Sequence, residues 1–412
     1  MKTRLTVTFM AMSALLLAGC GSSFNNSTHS SAQGTDKGPL TLLFGSSGPA
    51  ETTAVKNAAA AYTKQTGIKV TVMPSQNQTQ QLSQGFAANK PPDLFYLDPA
   101  TFQNYAKRGS LDAYAQKRSD VNDFYQPLRQ AFTYKSRFYC MPKDWGSLAL
   151  VVRKDDWTQA GLTTKDVPTT WAQLEQVAKK LTTSGRAGLS LPPSHSGMDE
   201  FLYQAGGSIL NANGTQAVID SPQNVQALTF LKKLMNEGVL KLPTQLDSGW
   251  EGEAFGKNKA SMIITGPWLT GAMSSDFPSV KYQVYPLPAG PGGDRGTLAF
   301  TNCWGIPANG AHTAAAEKFV DFLTKPGQEL TFAKAFGPIP PRQSASAQWA
   351  KEFPADQAFA DAADAHPDIA LPGAQEAIAD FDSKLAQLAT SDPKTLLASV
   401  QTNLQTLIGQ NK

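Results

Sequence analysis

The stretch FYCMPKDWGSLALVVRKD, residues 138–155, joins an unusual set of side chains to a predicted strand. A cysteine, a Lys-Asp pair and a tryptophan come shortly before the apolar run LALVV. A short apolar run of this kind predicts a strand inside a sheet. Charged groups and a large aromatic ring at the mouth of a buried strand need a reason, and the surrounding elements supply it.

Strands and helices alternate on both sides of that stretch. Before it come the strand LTLLFG (40–45), a helix that ends at Gly67, and the strand IKVTVM. After it come the helix TTWAQLEQVAKKLTTSG (169–185), the strand ASMIIT and the helix TAAAEKFVDFLTK. This alternation predicts an α/β fold in which helices cover a parallel sheet. The length of 412 residues favours more than one domain, and the pattern predicts two α/β lobes.

The first 38 residues have the features of a targeting and tethering segment. Basic residues, a short apolar stretch and small residues predict a signal peptide over residues 1–19. The ending Leu-Ala-Gly-Cys resembles the bacterial lipobox, which implies cleavage before Cys20 and three acyl chains on this residue. An ordinary signal peptide with an incidental cysteine is the alternative. Residues 20–38 are rich in Ser, Asn and Gly and predict a flexible tether.

Signatures of enzymes and of nucleic-acid binding are scarce. The 36 basic and 33 acidic residues are scattered, so no basic patch indicates a nucleic-acid partner. The four histidines form no HExxH motif, and no phosphate-binding P-loop is present. The GSSG sequence at 45–48 differs from a nucleophile elbow, and His195 is the only plausible partner for a nucleophile. The sequence therefore predicts no enzyme activity, no metal and no cofactor.

Acidic and aromatic residues collect instead at predicted strand ends and loops. Tryptophan presents an apolar face to the C–H side of a sugar ring, while carboxylates and amides bind its hydroxyl groups. Ligands of α/β sheets lie beyond the carboxyl ends of the strands, so this set predicts a sugar site. A glycosidase that uses two of the carboxylates is the alternative. The residues are Trp145, Trp250, Trp268, Trp304, Asp98, Asp144, Asp199, Glu251 and Glu253.

Several motifs, in their order and spacing, resemble the extracellular solute-binding proteins of ABC importers, in the carbohydrate group that includes maltose-binding protein. The motifs are PPDLFYLDPATFQNYAKRGSLDAY, YCMPKDWGSLALVVRKDDW, VPTTWAQLEQVAKKL, EAFGKNKASMIITGPW, NCWGIPANGAHTAAAEKFVDFLT and FGPIPPRQSA. The resemblance covers nearly the whole chain after the tether. It implies two α/β lobes of the type II arrangement, joined by a hinge around an interlobe cleft. The first lobe would comprise residues 39–142 and 304–343, and the second 144–302 and 344–412.

The same resemblance implies what the protein does. A monomer of this kind is no enzyme; it captures a mono- or oligosaccharide in the cleft and delivers it to ABC permease subunits. The lipid on Cys20 would hold it on the outer face of a bacterial cell membrane. Two alternatives stay open: the same fold binding a glycerol phosphate ester or polyol, and a surface glycosidase. A phosphate prefers arginine, and Lys143 and Arg342 are the only cations among the suspected cleft residues.

The ligand positions of the family transfer to twelve residues of this chain. Cys140 and Cys303 would fall in two neighbouring crossovers, so a disulfide between them is expected, with two buried thiols as the alternative. The charged first loop of the group is replaced here by Ser46-Ser47-Gly48, so the sequence does not name the sugar. The expected ligand-binding residues are Ser47, Asp98, Asp144, Trp145, His195, Asp199, Trp250, Glu251, Trp268, Asn302, Trp304 and Arg342.

Overall fold

The structure is a computed structural model that describes residues 38–360, 365–367, 369 and 371–411. The predicted signal peptide, the lipid-anchor residue Cys20 and the tether up to residue 37 lie outside the described residues. No helix in the described part of the chain combines the length and the hydropathy that crossing a bilayer requires.

The described residues contain thirteen β-strands, most of them four to six residues long. They are β1 (Leu40–Gly45), β2 (Val70–Ser75), β3 (Leu94–Leu97), β4 (Thr133–Tyr134), β5 (Arg137–Phe138), β6 (Pro142–Ser147), β7 (Ala149–Arg153), β8 (Ala187–Ser190), β9 (Leu240–Lys241), β10 (Ala260–Thr265), β11 (Tyr282–Tyr285), β12 (Thr297–Gly305) and β13 (Ala365–Pro367).

Fifteen α-helices accompany these strands in the described residues, and several begin at a side-chain cap or a first-turn proline. They are α1 (Pro49–Thr66), α2 (Gln78–Ala87), α3 (Pro99–Lys107), α4 (Gln126–Ala131), α5 (Lys154–Gln159), α6 (Trp171–Leu181), α7 (His195–Gln204), α8 (Pro222–Asn236), α9 (Glu251–Gly256), α10 (Leu269–Asp276), α11 (Thr313–Leu323), α12 (Pro326–Phe336), α13 (Gln343–Glu352), α14 (Gln375–Leu385) and α15 (Pro393–Gln410).

The larger strands form two separate sheets. In the first sheet the order is β13-β12-β3-β1-β2, and β6 pairs with β12 outside this path. Strands β1, β2 and β3 are parallel, whereas β12 runs antiparallel to both β3 and β6. In the second sheet the order is β11-β7-β10-β8-β9, with β8, β9 and β10 parallel and β7 antiparallel to both of its neighbours.

Each sheet has its own hydrophobic core. Phe44, Phe95 and Phe319 belong to the cluster around the first sheet. The second sheet separates two clusters because alternate residues of a strand point to opposite faces: Leu150 contributes to one cluster and Val151 to the other. Two sheets with separate cores make a two-lobed α/β molecule.

Three crossover segments between the two sheets lie side by side. Strand β6 leads to the second sheet and pairs with β12, so that Asp144 faces Asn302 and Gly146 faces Phe300. On the other side of β6, the backbone N–H of Trp145 donates to the carbonyl of Ile339 at 3.0 Å, and the reverse bond measures 3.1 Å. The crossovers therefore form one hydrogen-bonded ribbon between the lobes.

The disulfide between Cys140 and Cys303 is present, which confirms that prediction. The Cα atoms of the two residues are 5.6 Å apart, and both residues are buried in the core of the first sheet. Beside it, the Trp304 N–H donates to the Met141 carbonyl at 3.1 Å. The bond thus joins the first and second crossovers where they leave the first lobe, rather than joining one lobe to the other.

Candidate ligand-binding site

A cavity of about 320 Å³ opens between the lobes, in front of the crossover ribbon. Its walls come from the carboxyl ends of β1 and β3, from β6 and β12, and from the loops that follow β10 and α12. This is the place where α/β sheets carry their ligands. The lining residues are Gly45, Ser46, Ser47, Glu51, Tyr96, Lys143, Asp144, Trp145, Gly146, Pro267, Trp268, Phe300, Thr301, Asn302, Phe336 and Pro338.

A buried charge cluster, Glu51–Lys143–Asp144, forms one wall of the cavity. Lys143 Nζ lies 3.1 Å from Glu51 Oε1 and is also paired with Asp144 Oδ2. The same ammonium lies 4.4 Å from the centre of the Tyr96 ring, a cation–π distance. Only 4% of the Lys143 side chain is exposed, so two carboxylates and an aromatic face replace its water.

Local structure fixes Glu51 in this cluster. It lies in the first turn of α1, which begins at Pro49, and a carboxylate is favoured at this end of a helix. Its Oε2 accepts hydrogen bonds from the Ser47 backbone N–H at 2.7 Å and from the Ser47 hydroxyl at 2.8 Å. Its Oε1 accepts from the Tyr96 hydroxyl at 3.1 Å. The carboxylate therefore holds the first loop, β3 and the first crossover together.

The pKa shifts in the cluster follow from burial and pairing. Burial disfavours the charged form of Glu51, yet the Lys143 ammonium and the hydrogen bonds from Ser47 lower the pKa of Glu51. Burial also opposes the charge on Lys143, but Asp144 and Glu51 raise the pKa of this ammonium. For Asp144, burial dominates and raises the pKa of the carboxyl even with Lys143 beside it. Glu51 and Lys143 therefore remain an ion pair at neutral pH.

A second wall of the cavity is aromatic. The Trp268 and Phe300 rings meet edge to face, with centroids 5.4 Å apart, and both side chains are only partly buried. Trp250 lines a smaller adjoining cavity of about 140 Å³, which Ser47, Glu51 and Trp268 also line. The cavity thus has a flat apolar surface as well as the charge cluster in its lining.

The ribbon adds further polar groups to the cavity lining. The Asn302 N–H donates to Asp144 Oδ1 at 3.3 Å, and the Thr301 hydroxyl donates to the Asp144 carbonyl at 2.7 Å. Both contacts follow from the register of β6 against β12. Asp144 and Asn302 therefore lie side by side, although they are far apart in the sequence.

Five expected ligand residues line the main cavity, and Trp250 lines the adjoining one. The indole of Trp145 is largely enclosed by protein, because only 8% of the residue is exposed and its N–H donates to the Pro340 carbonyl at 3.2 Å. The Tyr125 ring covers the same indole edge to face. The five are Ser47, Asp144, Trp145, Trp268 and Asn302.

Asp98, Trp304 and Arg342 lie outside both cavities and serve structural contacts. Asp98 caps α3, where it accepts from the Thr101 backbone N–H at 2.7 Å. Trp304 is 1% exposed and packs edge to face on Tyr96 in the first core. Arg342 pairs with Asp120 at 2.6 Å and lies over the Phe124 ring, with its guanidinium carbon 4.2 Å from the ring centre.

The remaining three expected residues belong to the second lobe, away from the lining of either cavity. His195 Nδ1 lies 2.9 Å from Asp382 Oδ1, which links the start of α7 to α14. Asp199 is buried within α7. Glu251 begins α9 and accepts from the Thr265 hydroxyl at 2.9 Å.

Four residues that were not expected in the site also line the cavity: Glu51, Tyr96, Phe300 and Phe336. A signal for Glu51 was available, because GPAE places proline in the first turn of a helix and an acid beside it. Periodic apolar residues alone put the start of α1 several residues later. No sequence signal distinguishes Tyr96 or Phe336 from ordinary core aromatics.

The two lobes, their crossover ribbon and the cavity between them define a two-lobed binding protein. A family model described as bacterial extracellular solute-binding protein matches residues 45–330, and the chain belongs to this family. This membership confirms the predicted family.

Similar proteins are known as sequences and as solved structures. The maltooligosaccharide ABC transporter solute-binding lipoprotein of Streptococcus pneumoniae is 26% identical over 368 residues, which cover 82% of this chain and 80% of that protein. An ABC substrate-binding protein of Listeria monocytogenes, solved with cycloalternan, superimposes with a TM-score of 0.80 at 23% identity, over 90% of this chain and 99% of that one. UgpB of Mycobacterium tuberculosis, solved with glycerophosphocholine, superimposes with a TM-score of 0.79 at 17% identity, over 91% of this chain and 99% of that one. These likenesses confirm the predicted fold class.

A buried carboxyl outside the cavity gives a test of the second lobe. Glu200 in α7 is fully buried, and burial raises its pKa to about 8 against the effect of its own backbone N–H, helped by the nearby Glu251. Because the folded pKa exceeds the unfolded value, the folded state keeps this proton after the unfolded chain has lost it. Stability is therefore full below about pH 4.5 and falls as the pH rises towards 8.

Replacing Glu200 by Gln should remove this dependence. Between pH 5 and pH 7 the wild type should lose on the order of 2–3 kcal/mol of unfolding free energy through this residue, at about 1.36 kcal/mol per pH unit. The unfolding free energy of the Glu200→Gln variant should fall by correspondingly less between the two pH values, as measured by urea titration at each pH. Glu376→Gln, at an exposed position of α14, is the matched control and should follow the wild type. Parallel profiles for wild type and Glu200→Gln would contradict the prediction.

Proposed function

We propose that this protein captures a carbohydrate in the cavity between its lobes and delivers it to the permease of an ABC importer. The observation that carries the proposal is one cavity lined both by the aromatic wall of Trp268 and Phe300 and by the buried polar groups of the charge cluster. A lipid on Cys20 would hold the protein outside the cell membrane. The pneumococcal relative, named as a solute-binding lipoprotein, supports that location.

The chemistry of the cavity suits a sugar ring. Such a ring has an apolar C–H face and a rim of hydroxyl groups that donate and accept hydrogen bonds. Trp268 offers the flat apolar surface, while Asp144 and Asn302 in the same cavity lining offer acceptor and donor groups. Trp250 in the adjoining cavity gives room for a second ring, so an oligosaccharide fits the proposal as well as a monosaccharide.

Capture would proceed by closure of the two lobes about the ribbon. We propose that the first lobe comprises residues 39–142 and 304–343 and the second 144–302 and 344–412. The connection of the two sheets through three short crossovers supports these limits. Closure would remove water from the cavity and strengthen the hydrogen bonds of the ligand.

A glycerol phosphate ester is the main alternative, and the charge of the cavity argues against it. Lys143 is the only cation among the described residues that line the cavity, and Glu51 and Asp144 already pair with it. Arg342, the other candidate cation, pairs with acids outside the cavity. An entering phosphate would meet two carboxylates and no free cation, so an uncharged ligand is favoured.

A surface glycosidase is also disfavoured. Hydrolysis needs one carboxyl that keeps a proton for the leaving group and a second one placed as nucleophile or base. The pKa of Glu51 is lowered and its oxygens are occupied by Ser47, Tyr96 and Lys143, so it cannot serve as the acid. Asp144 alone does not make the pair. We propose that the protein binds its ligand without turnover.

A thermal-shift screen of mono- and oligosaccharides tests the function. A ligand that binds only the folded protein raises its melting temperature by mass action, and the hits are then measured by calorimetry. The screen should include glycerophosphocholine as the charged alternative. Binding of glycerophosphocholine and of no sugar at millimolar concentration would overturn the carbohydrate proposal, as would turnover of chromogenic glycosides.

Trp268→Ala should lower the affinity for the best sugar about 10- to 100-fold, or roughly 1.4–2.7 kcal/mol. The reason is loss of the stacking surface in the cavity wall. Trp268→Phe keeps a smaller aromatic face and should lose less than 10-fold, which makes it the matched control. Calorimetric titration of the three proteins checks the order. Equal affinities would show that the ligand does not contact this wall.

A further inference from the structure

Pro267 connects the aromatic wall to the hinge. It follows β10 in the sequence TGPW, directly before Trp268, and it is buried whereas Trp268 is only partly so. The indole of Trp268 lies back against Gly266, because a Cβ on that glycine would be 2.6 Å from Cε3 of the indole and closer still to other ring atoms. The position of the ring in the cavity is therefore tied to the path of the backbone at 266–268.

Two glycines form the seat in which Pro267 lies. A Cβ on Gly146 would overlap Cγ of the Pro267 ring and lie 2.7 Å from its Cδ, where real side chains do not approach. A Cβ on Gly337 would overlap the Pro267 carbonyl oxygen and lie 3.0 Å from Cβ of Thr270. Pro267 is thus in close contact with both glycines, and neither position has space for a methyl group.

The two glycines belong to different crossovers. Gly146 lies in β6, the first crossover, opposite Phe300 of β12. Gly337 ends α12 with a φ of 91°, two residues before Ile339, whose backbone pairs with Trp145 of β6. The loop that carries Trp268 therefore rests on the first and third strands of the ribbon, and not only on the sheet from which it emerges.

We infer that Gly146 and Gly337 are positioning residues, which fix Trp268 in the cavity by seating Pro267 against the crossover ribbon. Movement of the ribbon during lobe closure is passed directly to the aromatic wall, because a packed proline ring has no room to shift. The consequence for ligand capture rests on the proposed function, whereas the seating of Pro267 does not. The inference is therefore tested without any ligand.

Fluorine NMR on protein labelled with 5-fluorotryptophan is the experiment. The Trp268 signal is assigned by its loss in Trp268→Phe, and the signals of Trp157 and Trp171, in the core of the second lobe, serve as internal references. Gly146→Ala should move the Trp268 signal and leave the reference signals in place. In the double variant Gly146→Ala/Pro267→Ala the Trp268 signal should return towards its position in Pro267→Ala. The reason is that alanine at position 267 keeps only Cβ, which lies 3.8 Å from the Cβ added at Gly146.

Controls separate seating from a general loss of packing. Gly327→Ala, in α12, adds a methyl group with no atom within 4 Å and should move no signal. If Gly146→Ala does not fold, Pro267→Ala alone still tests the inference, because emptying the seat should shift or broaden the Trp268 signal. An unchanged Trp268 signal in Pro267→Ala, or equal shifts of all tryptophan signals in Gly146→Ala, would overturn the inference. These spectra are recorded without ligand, so the inference and the proposed carbohydrate function can fail independently of each other.

Discussion

Removing the disulfide by the double change Cys140→Ala/Cys303→Ala should lower the free energy of unfolding by roughly 5 kcal/mol. The two residues are 163 positions apart, so the bond closes a long loop in the unfolded chain and restricts its conformational entropy. The loop-entropy relation gives about 5 kcal/mol for a loop of this size at 25 °C, and native disulfides commonly contribute ~2–5 kcal/mol. Urea unfolding of the oxidised wild type and the double variant measures the difference.

The reduced wild type is the control for the lost side chains. In a reducing buffer the two thiols remain in the core and only the bond is absent, so reduced wild type should approach the double variant in stability. The variant itself should not respond to the reductant. Since the bond lies within the first lobe, both proteins should still bind a sugar found in the screen. Equal stabilities of oxidised and reduced wild type would contradict the prediction.

Replacing Lys143 by Met should destabilise the protein by roughly 3–5 kcal/mol, the usual effect of removing one partner from a buried ion pair. The change leaves Glu51 and Asp144 buried together without a cation. Methionine has a similar length and keeps an apolar side chain beside Tyr96, so packing changes little. Thermal and urea unfolding at pH 7 measure the effect.

The pH dependence identifies the cause. In the wild type the pKa of Glu51 is lowered, so its contribution to stability is present above the unfolded value of about 4.5 and is lost as the pH falls through the folded value. In Lys143→Met, burial without the ammonium raises the pKa of Glu51, so the variant is penalised most at high pH. Its deficit should therefore shrink between pH 8 and pH 5.

A second substitution provides the matched control. Lys143→Met/Glu51→Gln removes one of the unpaired charges and should recover part of the lost stability at pH 8, whereas Glu51→Gln alone should destabilise the protein. A deficit of Lys143→Met that is constant with pH and unaffected by Glu51→Gln would show that lost packing, not unpaired charge, is responsible.

Sequence reasoning performed best where the signal is local. The alternation of strands and helices, the glycine end of α1 at Gly67 and the TGPW turn could all be recognised from a few consecutive residues. The expected pairing of Cys140 with Cys303 also held, because both residues fall in crossovers that the family motifs place together. The limits of the lobes stay a prediction.

Two expected site residues lie outside the cavity for the same physical reason. Trp304 and Arg342 follow the same patterns as binding residues, but their partners lie far away in the sequence: Trp304 packs on Tyr96, and Arg342 pairs with Asp120. Each side chain is held by this partner within the protein and does not line the cavity. A pattern of neighbouring residues carries no information about such partners.

The α/β class, the order of the elements and the family can be recognised in the sequence, because backbone periodicity, caps and motifs depend on residues close together in the chain. Which side chains share the cavity depends on the packing of distant elements and is visible in the structure alone. Glu51 meets Lys143 across 92 positions, and Pro267 meets Gly146 across 121 positions, on a ribbon built from three crossovers. These contacts arise from packing between elements, because a buried charge is stable only beside a counter-charge and a proline ring packs only where neighbouring residues leave space for it.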